Sequence, residues 1–204
     1  MKPFLSYLDE GLNKKTLNIF DIDDTLFLSA ARTSVVKDGK TVRKLDTKEL
    51  LHYKLKPGEQ FDYSEFRSGK HFYDTATPIE KMIRRAHQAV HGDTNSRTII
   101  ITARADLSDK NLFLQKFREH GFPIDQVHVE RAGNVRSRGT SSPLSKGVVI
   151  RKYIATGQYN KIRMWDDHPG NLRLLLKLAK LHPEITFEAY IVNPESGTSQ
   201  RFTG

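Results

Sequence analysis

Two aspartates, Asp21 and Asp23, follow the apolar run TLNIF and are separated by a single residue. A second acidic pair, Asp166-Asp167, follows IRMW, and a lone hydroxyl, Thr102, closes TIII. Lys146 sits in PLSKGVVI, between the last two of these segments. An aspartate at a strand end can attack an electrophile while its neighbour but one gives or takes a proton. Four carboxylates gathered in one place need a counter-charge. Oxygen-only ligands with few protein contacts suit Mg²⁺, which keeps several waters and a substrate phosphate. With a hydroxyl and a lysine added, the set describes phosphoryl transfer, where positioning and charge neutralisation do most of the catalysis. Taken singly, each residue has a plainer reading: an aspartate as a turn former or helix cap, Lys146 as a surface lysine. The weight lies in their order and in their positions relative to the strands.

Those positions follow from the apolar pattern. Thr16 to Phe20, Thr98 to Thr102, Gln126 to Val129, Ile162 to Trp165 and Thr186 to Val192 read as five strands. Helices are expected between them. One starts at Thr77-Pro78-Ile79-Glu80, a capping box, and continues through Met82, Ile83, Ala86 and Val90. Another spans Leu112 to His120 before Gly121, and a third Lys146 to Thr156 before Gly157. A fourth begins at Pro169, with Leu172, Leu175, Leu176 and Leu181 on its apolar face. Alternating strands and helices predict an α/β fold, a Rossmann-like core with a five-stranded, mainly parallel sheet and helices on both faces. Ligands bind beyond the carboxyl ends of such strands, which puts Asp21, Asp23, Thr102, Arg104, Lys146, Asp166 and Asp167 around one crevice. Residues 33–45 read as a hairpin turning at Asp38-Gly39, and the ending ESGTSQRFTG as a frayed tail.

The chain has 204 residues and a formal net charge of +9. That length favours one domain, with a core at about 14–27 and 76–193, an insert at about 28–75 and a tail at 194–204. No apolar stretch is long enough to cross a membrane, and the N-terminal residues lack the apolar centre of a secretory signal. The absence of cysteine excludes disulfides, thiol chemistry and cysteine-ligated zinc, and fits a cytoplasmic location. The basic excess points to a polyanionic partner. It is spread along the chain, but Arg131 to Lys152 holds six basic residues and no acid, and its first half reads as a loop. That loop is either a solvated surface or one that meets phosphates through Arg136 and Arg138.

The segments NIFDIDDTLF, TIIITAR, PLSKGVVI and IRMWDDHPGN, taken in order, resemble the four motifs of the haloacid dehalogenase superfamily of phosphatases. The resemblance implies that Asp21 attacks phosphorus and forms an aspartyl-phosphate, and that Asp23 acts as general acid and base. It implies Mg²⁺ held by Asp21, the Asp23 main-chain carbonyl and Asp166, with Asp167 behind. Thr102 and Lys146 would bind phosphate oxygens, and Thr25 and Asn171 would complete the substrate side; Arg104, just after Thr102 at the strand end, could clamp a phosphate or terminal ribose. Arg163 departs from the pattern, which usually has an apolar residue inside the fourth hydrophobic strand. The hairpin falls where the family carries a flap, and residues 46–76 leave room only for a small cap.

The TAR sequence, the helix after it and the basic loop also resemble the 3'-phosphatase domain of phage polynucleotide kinases. A DNA or RNA end carrying a 3'-phosphate is therefore the expected substrate, with no membrane partner. No GxxxxGK[ST] kinase motif occurs. Two alternatives stay open: a phosphatase of free nucleotides or other small phosphorylated metabolites, and a non-catalytic nucleic-acid-binding scaffold. Phe61, Tyr63, Phe66, Phe72 and Tyr73 could stack bases or form a small core under the insert. His87 and His91 lie four residues apart, but Gln88 removes the HExxH pattern, so an exposed polar face is expected there. His168 is open between substrate contact and a loop role.

Overall fold

The computed structural model describes residues 15–135 and 142–204. The chain opens with β1 (Lys15–Phe20) and β2 (Phe27–Leu28), then the hairpin β3 (Thr33–Lys37) and β4 (Lys40–Leu45). Next come α1 (Thr47–His52), β5 (Glu59–Asp62), α2 (Ser64–Arg67), α3 (Gly69–Thr75) and β6 (Thr77–Pro78). The middle of the chain is α4 (Glu80–His91), β7 (Ser96–Thr102), α5 (Lys110–Glu119) and β8 (His128–Arg131). It finishes with α6 (Ser142–Ala155), β9 (Tyr159–Asp166), α7 (Pro169–Leu181), β10 (Thr186–Asn193) and β11 (Thr198–Arg201).

Among the described residues the main sheet has six strands in the order β11-β10-β9-β1-β7-β8. All are parallel except β11, which runs antiparallel to β10. The fold is thus mixed α/β, with the five expected strands present and a sixth where a frayed tail was expected. The tail is held by pairing of β11 with β10 and by hydrogen bonds at either end of that strand. The Asn193 side chain accepts from the Glu195 and Ser196 N–H groups, and the Phe202 N–H bonds the Ala189 carbonyl at 2.8 Å. Side chains alternate across each strand and so feed two cores. Leu17, Ile19, Ile99, Ile101, Ile162 and Met164 face α6 and α7, while Phe20, Ile100 and Trp165 belong with α4 and α5. Phe20, Trp165 and Tyr190 stack in series, with ring centroids 4.5 Å and 5.0 Å apart.

Arg163 finds an acid on the next strand. Its Nε donates to Glu188 at 2.9 Å, directly across from it on β10, and Lys161 and Arg201 also pair with Glu188. The strand is therefore buried on one face and polar on the other at this level. Leu181 departs from the expected apolar face of α7: it is 71% exposed, beyond the last buried leucine of the helix, Leu178. The expected capping box at Thr77 is absent too. Thr77-Pro78 pairs antiparallel with Phe27-Leu28, and α4 starts only at Glu80 with no side-chain cap. The real capping box is at Asp46 and Glu49, opening α1.

The insert carries a three-stranded sheet, β4-β3-β5. Asp38 and Gly39 both have positive φ, 50° and 75°, as a two-residue type I′ hairpin requires. Phe72 of α3 is buried against Phe27, Phe113 and Phe117, which makes it core and not a base-stacking surface. Phe66 lies over the Arg104 guanidinium. Truncation of this ring cluster gives a direct check: Phe72→Ala should cost about 3–5 kcal/mol in urea unfolding. Leu181→Ser, at an exposed position, should stay within about 0.5 kcal/mol.

Candidate active site

Parallel register brings the acidic residues level. Ile19 lies opposite both Ile99 and Met164, so β1 and β9 end side by side. Asp21 leaves β1 with its N–H bonded to the Trp165 carbonyl at 3.1 Å, beside Asp166. The chain then folds into a tight turn in which the Ile22 carbonyl accepts from the N–H groups of Thr25, Leu26 and Phe27. Asp24 closes it at φ 56°, and its side chain accepts from the Ser29 N–H.

Lys146 stands in the second turn of α6, which begins at Ser142, four residues earlier than expected. Its Nζ lies 2.7 Å from Asp21 Oδ2 and 2.8 Å from Asp166 Oδ2, and all three side chains are almost fully buried. Asn171 donates from Nδ2 to both oxygens of Asp166, at 2.8 Å and 2.9 Å, and the His168 N–H adds a bond at 2.9 Å. The Thr25 hydroxyl accepts from the Asp167 N–H at 3.0 Å. Asn171 and Thr25, expected on the substrate side, are buried, Asn171 holding the Asp166 carboxylate and Thr25 the Asp167 main chain. The His168 ring caps α7, its Nδ1 accepting from the Gly170 N–H at 3.0 Å.

Asp21, Asp166 and Asp167 each offer one oxygen within 4.8 Å of the others. Asp21 Oδ1 is buried without a hydrogen-bond partner among the described residues. Burial pushes the Asp21 carboxyl up to about 7 from an ordinary value of 3.8, Lys146 opposing and Asp166 and Asp23 reinforcing the rise. Asp167 is likewise raised well above the usual range, by burial first and then by Asp166 and Asp21. Burial works against the Lys146 charge, but Asp166 and Asp21 outweigh it and raise the ammonium. One lysine does not balance three converging acids. A hard divalent cation among their oxygens would, and the all-carboxylate donor set fits Mg²⁺.

Asp23 does not join this cluster. Arg104 grips its carboxylate with two bonds, Nε to Oδ2 at 2.9 Å and an Nη to Oδ1 at 2.7 Å. The same Nη also reaches the Ser29 hydroxyl at 3.2 Å, and the remaining nitrogen donates to the Phe66 carbonyl at 3.0 Å. Arg104 is buried and its donors are engaged, so here it braces Asp23 and does not reach toward a substrate. Thr102 accepts from the Arg104 N–H at 3.1 Å, leaving its own O–H free to donate. Gly133 lets the segment after β8 lie on this turn: a Cβ there would come within 2.5 Å of the Ala103 carbonyl. Arg136 and Arg138 lie outside the described residues. His87 and His91 are exposed neighbours on α4, with ring centroids 4.6 Å apart. Sequence reasoning missed Ser29 and the contact of Phe66, named only as a base-stacking or core aromatic, with Arg104. Both residues act through Arg104 from the insert, and no spacing rule signals a contact made over that distance in the chain.

No family model, no curated protein and no solved structure matches this chain. Among the described residues, no helix is long and apolar enough to cross a membrane.

The Asp21 shift sets a pH test. A carboxyl raised in the folded state holds its proton between about 4 and 7 while the unfolded chain has lost it, so its ionisation costs stability as pH rises through that window. In EDTA, Asp21→Asn should therefore raise Tm relative to the parent more at pH 8 than at pH 5. Mg²⁺ should raise the parent's Tm and leave that variant nearly unmoved. Equal Tm differences at both pH values would contradict the assignment. Arg104→Gln should free the Asp23 carboxylate and the Phe66 carbonyl together, lowering Tm by several degrees and speeding amide exchange over 64–75. Arg104→Lys, which keeps the charge and loses the fork, should not restore it.

Proposed function

We propose that the protein is a Mg²⁺-dependent phosphomonoesterase of the haloacid dehalogenase type, acting on the 3'-phosphate of a DNA or RNA end. The observation that carries this reading is Asp21: a buried carboxylate with one oxygen held by Lys146 and the other unpartnered, in a nest of acids at the strand ends.

In this reading Asp21, Asp167 and Asp166 would hold the metal, Asp166 by exchanging a bond it makes to Lys146 or Asn171. Such an ion would supply positive charge against the converging acids and the substrate phosphate. The Asp21 carboxylate oxygen attacks phosphorus, the P–O bond to the sugar breaks, and the leaving oxygen takes a proton from Asp23. Asp23 then removes a proton from water, whose oxygen attacks the aspartyl-phosphate, releasing inorganic phosphate and restoring Asp21. The Arg104 fork holds both Asp23 oxygens, so Asp23 must give up one of these bonds to reach the leaving group. Lys146 fixes Asp21 for attack and screens its charge from the incoming phosphate. The Thr102 O–H is a further donor for a phosphate oxygen. A nucleic-acid end is favoured by the likeness of TAR and its surroundings to the polynucleotide 3'-phosphatases and by the +9 net charge.

The experiment is phosphate release from a 3'-phosphorylated oligonucleotide, its 5'-phosphorylated twin and the matching 3'-mononucleotide, with Mg²⁺ or EDTA, at low and high salt. Release should need Mg²⁺, prefer the 3'-phosphorylated oligomer, weaken steeply with salt, and fall at least about a thousandfold in Asp21→Asn. Preference for the mononucleotide would move the substrate to small metabolites. No turnover of any of these or of p-nitrophenyl phosphate would leave a binding scaffold.

A further inference from the structure

The edge of the main sheet beside Thr102 is incompletely covered. β8 is the last strand, and between it and α5 lies a cavity of about 240 Å³ that reaches up to Thr102. Phe113, Leu114 and Val129 form apolar walls, and Lys110, Arg131, His128 and Asp125, the last paired with Arg118, supply its polar lining. The Arg131 guanidinium is tied to Asp106 at 3.0 Å, whereas the exposed Lys110 has no ion-pair partner among the described residues. The volume falls below the roughly 300–1,000 Å³ of sites for drug-sized ligands and suits a single flat ring system.

We propose that this cavity takes the nucleobase of the terminal nucleoside, the one that carries the phosphate to be removed. The proposal rests on the phosphatase reading for its choice of ligand. Thr102 belongs both to the candidate active site and to the upper end of the cavity, so one nucleotide can place its phosphate at the strand ends and its base in the gap. A base is an apolar ring with a polar edge, and the apolar walls and charged rim complement those two parts. Lys110 supplies the positive charge that an adjoining internucleotide phosphate requires. Base contacts with apolar and aromatic side chains tolerate any sequence, so this pocket would favour a nucleic-acid end over a bare phosphomonoester without selecting one base.

The test separates binding from turnover. Methyl NMR of Leu114 and Val129 is followed while adenosine, adenosine 3'-monophosphate or the 3'-phosphate of an abasic deoxyribose is added to the full chain with Mg²⁺. Shifts at both residues with the two base-bearing probes, and none with the abasic probe, are expected. KM for the 3'-mononucleotide should rise about tenfold relative to p-nitrophenyl phosphate in Leu114→Trp, which fills the gap. Lys110→Ala, on the exposed rim, should raise KM for a 3'-phosphorylated dinucleotide several-fold without disturbing the core. Equal shifts with the abasic probe, silence at Leu114 and Val129 with every probe, or unchanged KM ratios in both variants would overturn the pocket. Methyl shifts with adenosine in a protein that releases no phosphate would uphold the pocket and sink the phosphatase reading instead.

Discussion

The contact on which the site depends is the buried ammonium of Lys146 shared between Asp21 and Asp166. It crosses three elements: the end of β1, the end of β9 and the second turn of α6. Taking three charged groups out of water is costly, and the cost is offset only when geometry is good and the remaining lone pairs are met. Asp166 is fully met, by Lys146, by Asn171 and by the His168 N–H. Asp21 is met on one oxygen only. That inequality is the physical signature of a group kept for use: one carboxylate is locked, and its neighbour is held ready with an open face.

What lets three elements meet at one point is the parallel register. With Ile19 level with Ile99 and Met164, the last apolar residues of β1 and β9 form one row, and the polar residues after them emerge together. The Phe20, Trp165 and Tyr190 rings stack along that row on the opposite face from Lys146. Rigidity beneath and charge above are thus supplied by alternate residues of the same strands, a direct consequence of their period of two.

The insert is joined to this centre by more than packing. Phe72 sets α3 against α5, and Gly69 comes so close to the Ser108 and Asp109 carbonyls that no side chain fits between. Arg104 then connects the Phe66 carbonyl to Asp23 through one rigid guanidinium. A plane with five fixed donors can satisfy a carboxylate, a carbonyl and a hydroxyl at once, which a lysine could not. The placement of Asp23 consequently depends on the insert being in place.

The five parallel strands, their order along the chain and the convergence of Asp21, Lys146, Asp166 and Asp167 were legible in the sequence, because apolar runs report burial and the polar residues that follow them mark strand ends. The Asp38-Gly39 turn was legible for the same kind of local reason: only residues that tolerate positive φ can make it. Partnerships were not. Nothing near Arg104 in the chain shows that its donors go to Asp23, Ser29 and Phe66, or that Thr25 holds the Asp167 main chain and Asn171 the Asp166 carboxylate. The same holds for Arg163, an anomaly within its own strand that Glu188 on the next strand resolves. Local pattern determines where a chain turns and which face is apolar. Which polar group satisfies which is decided only when distant segments are brought into contact, since each buried donor must then find whatever acceptor the fold has placed beside it.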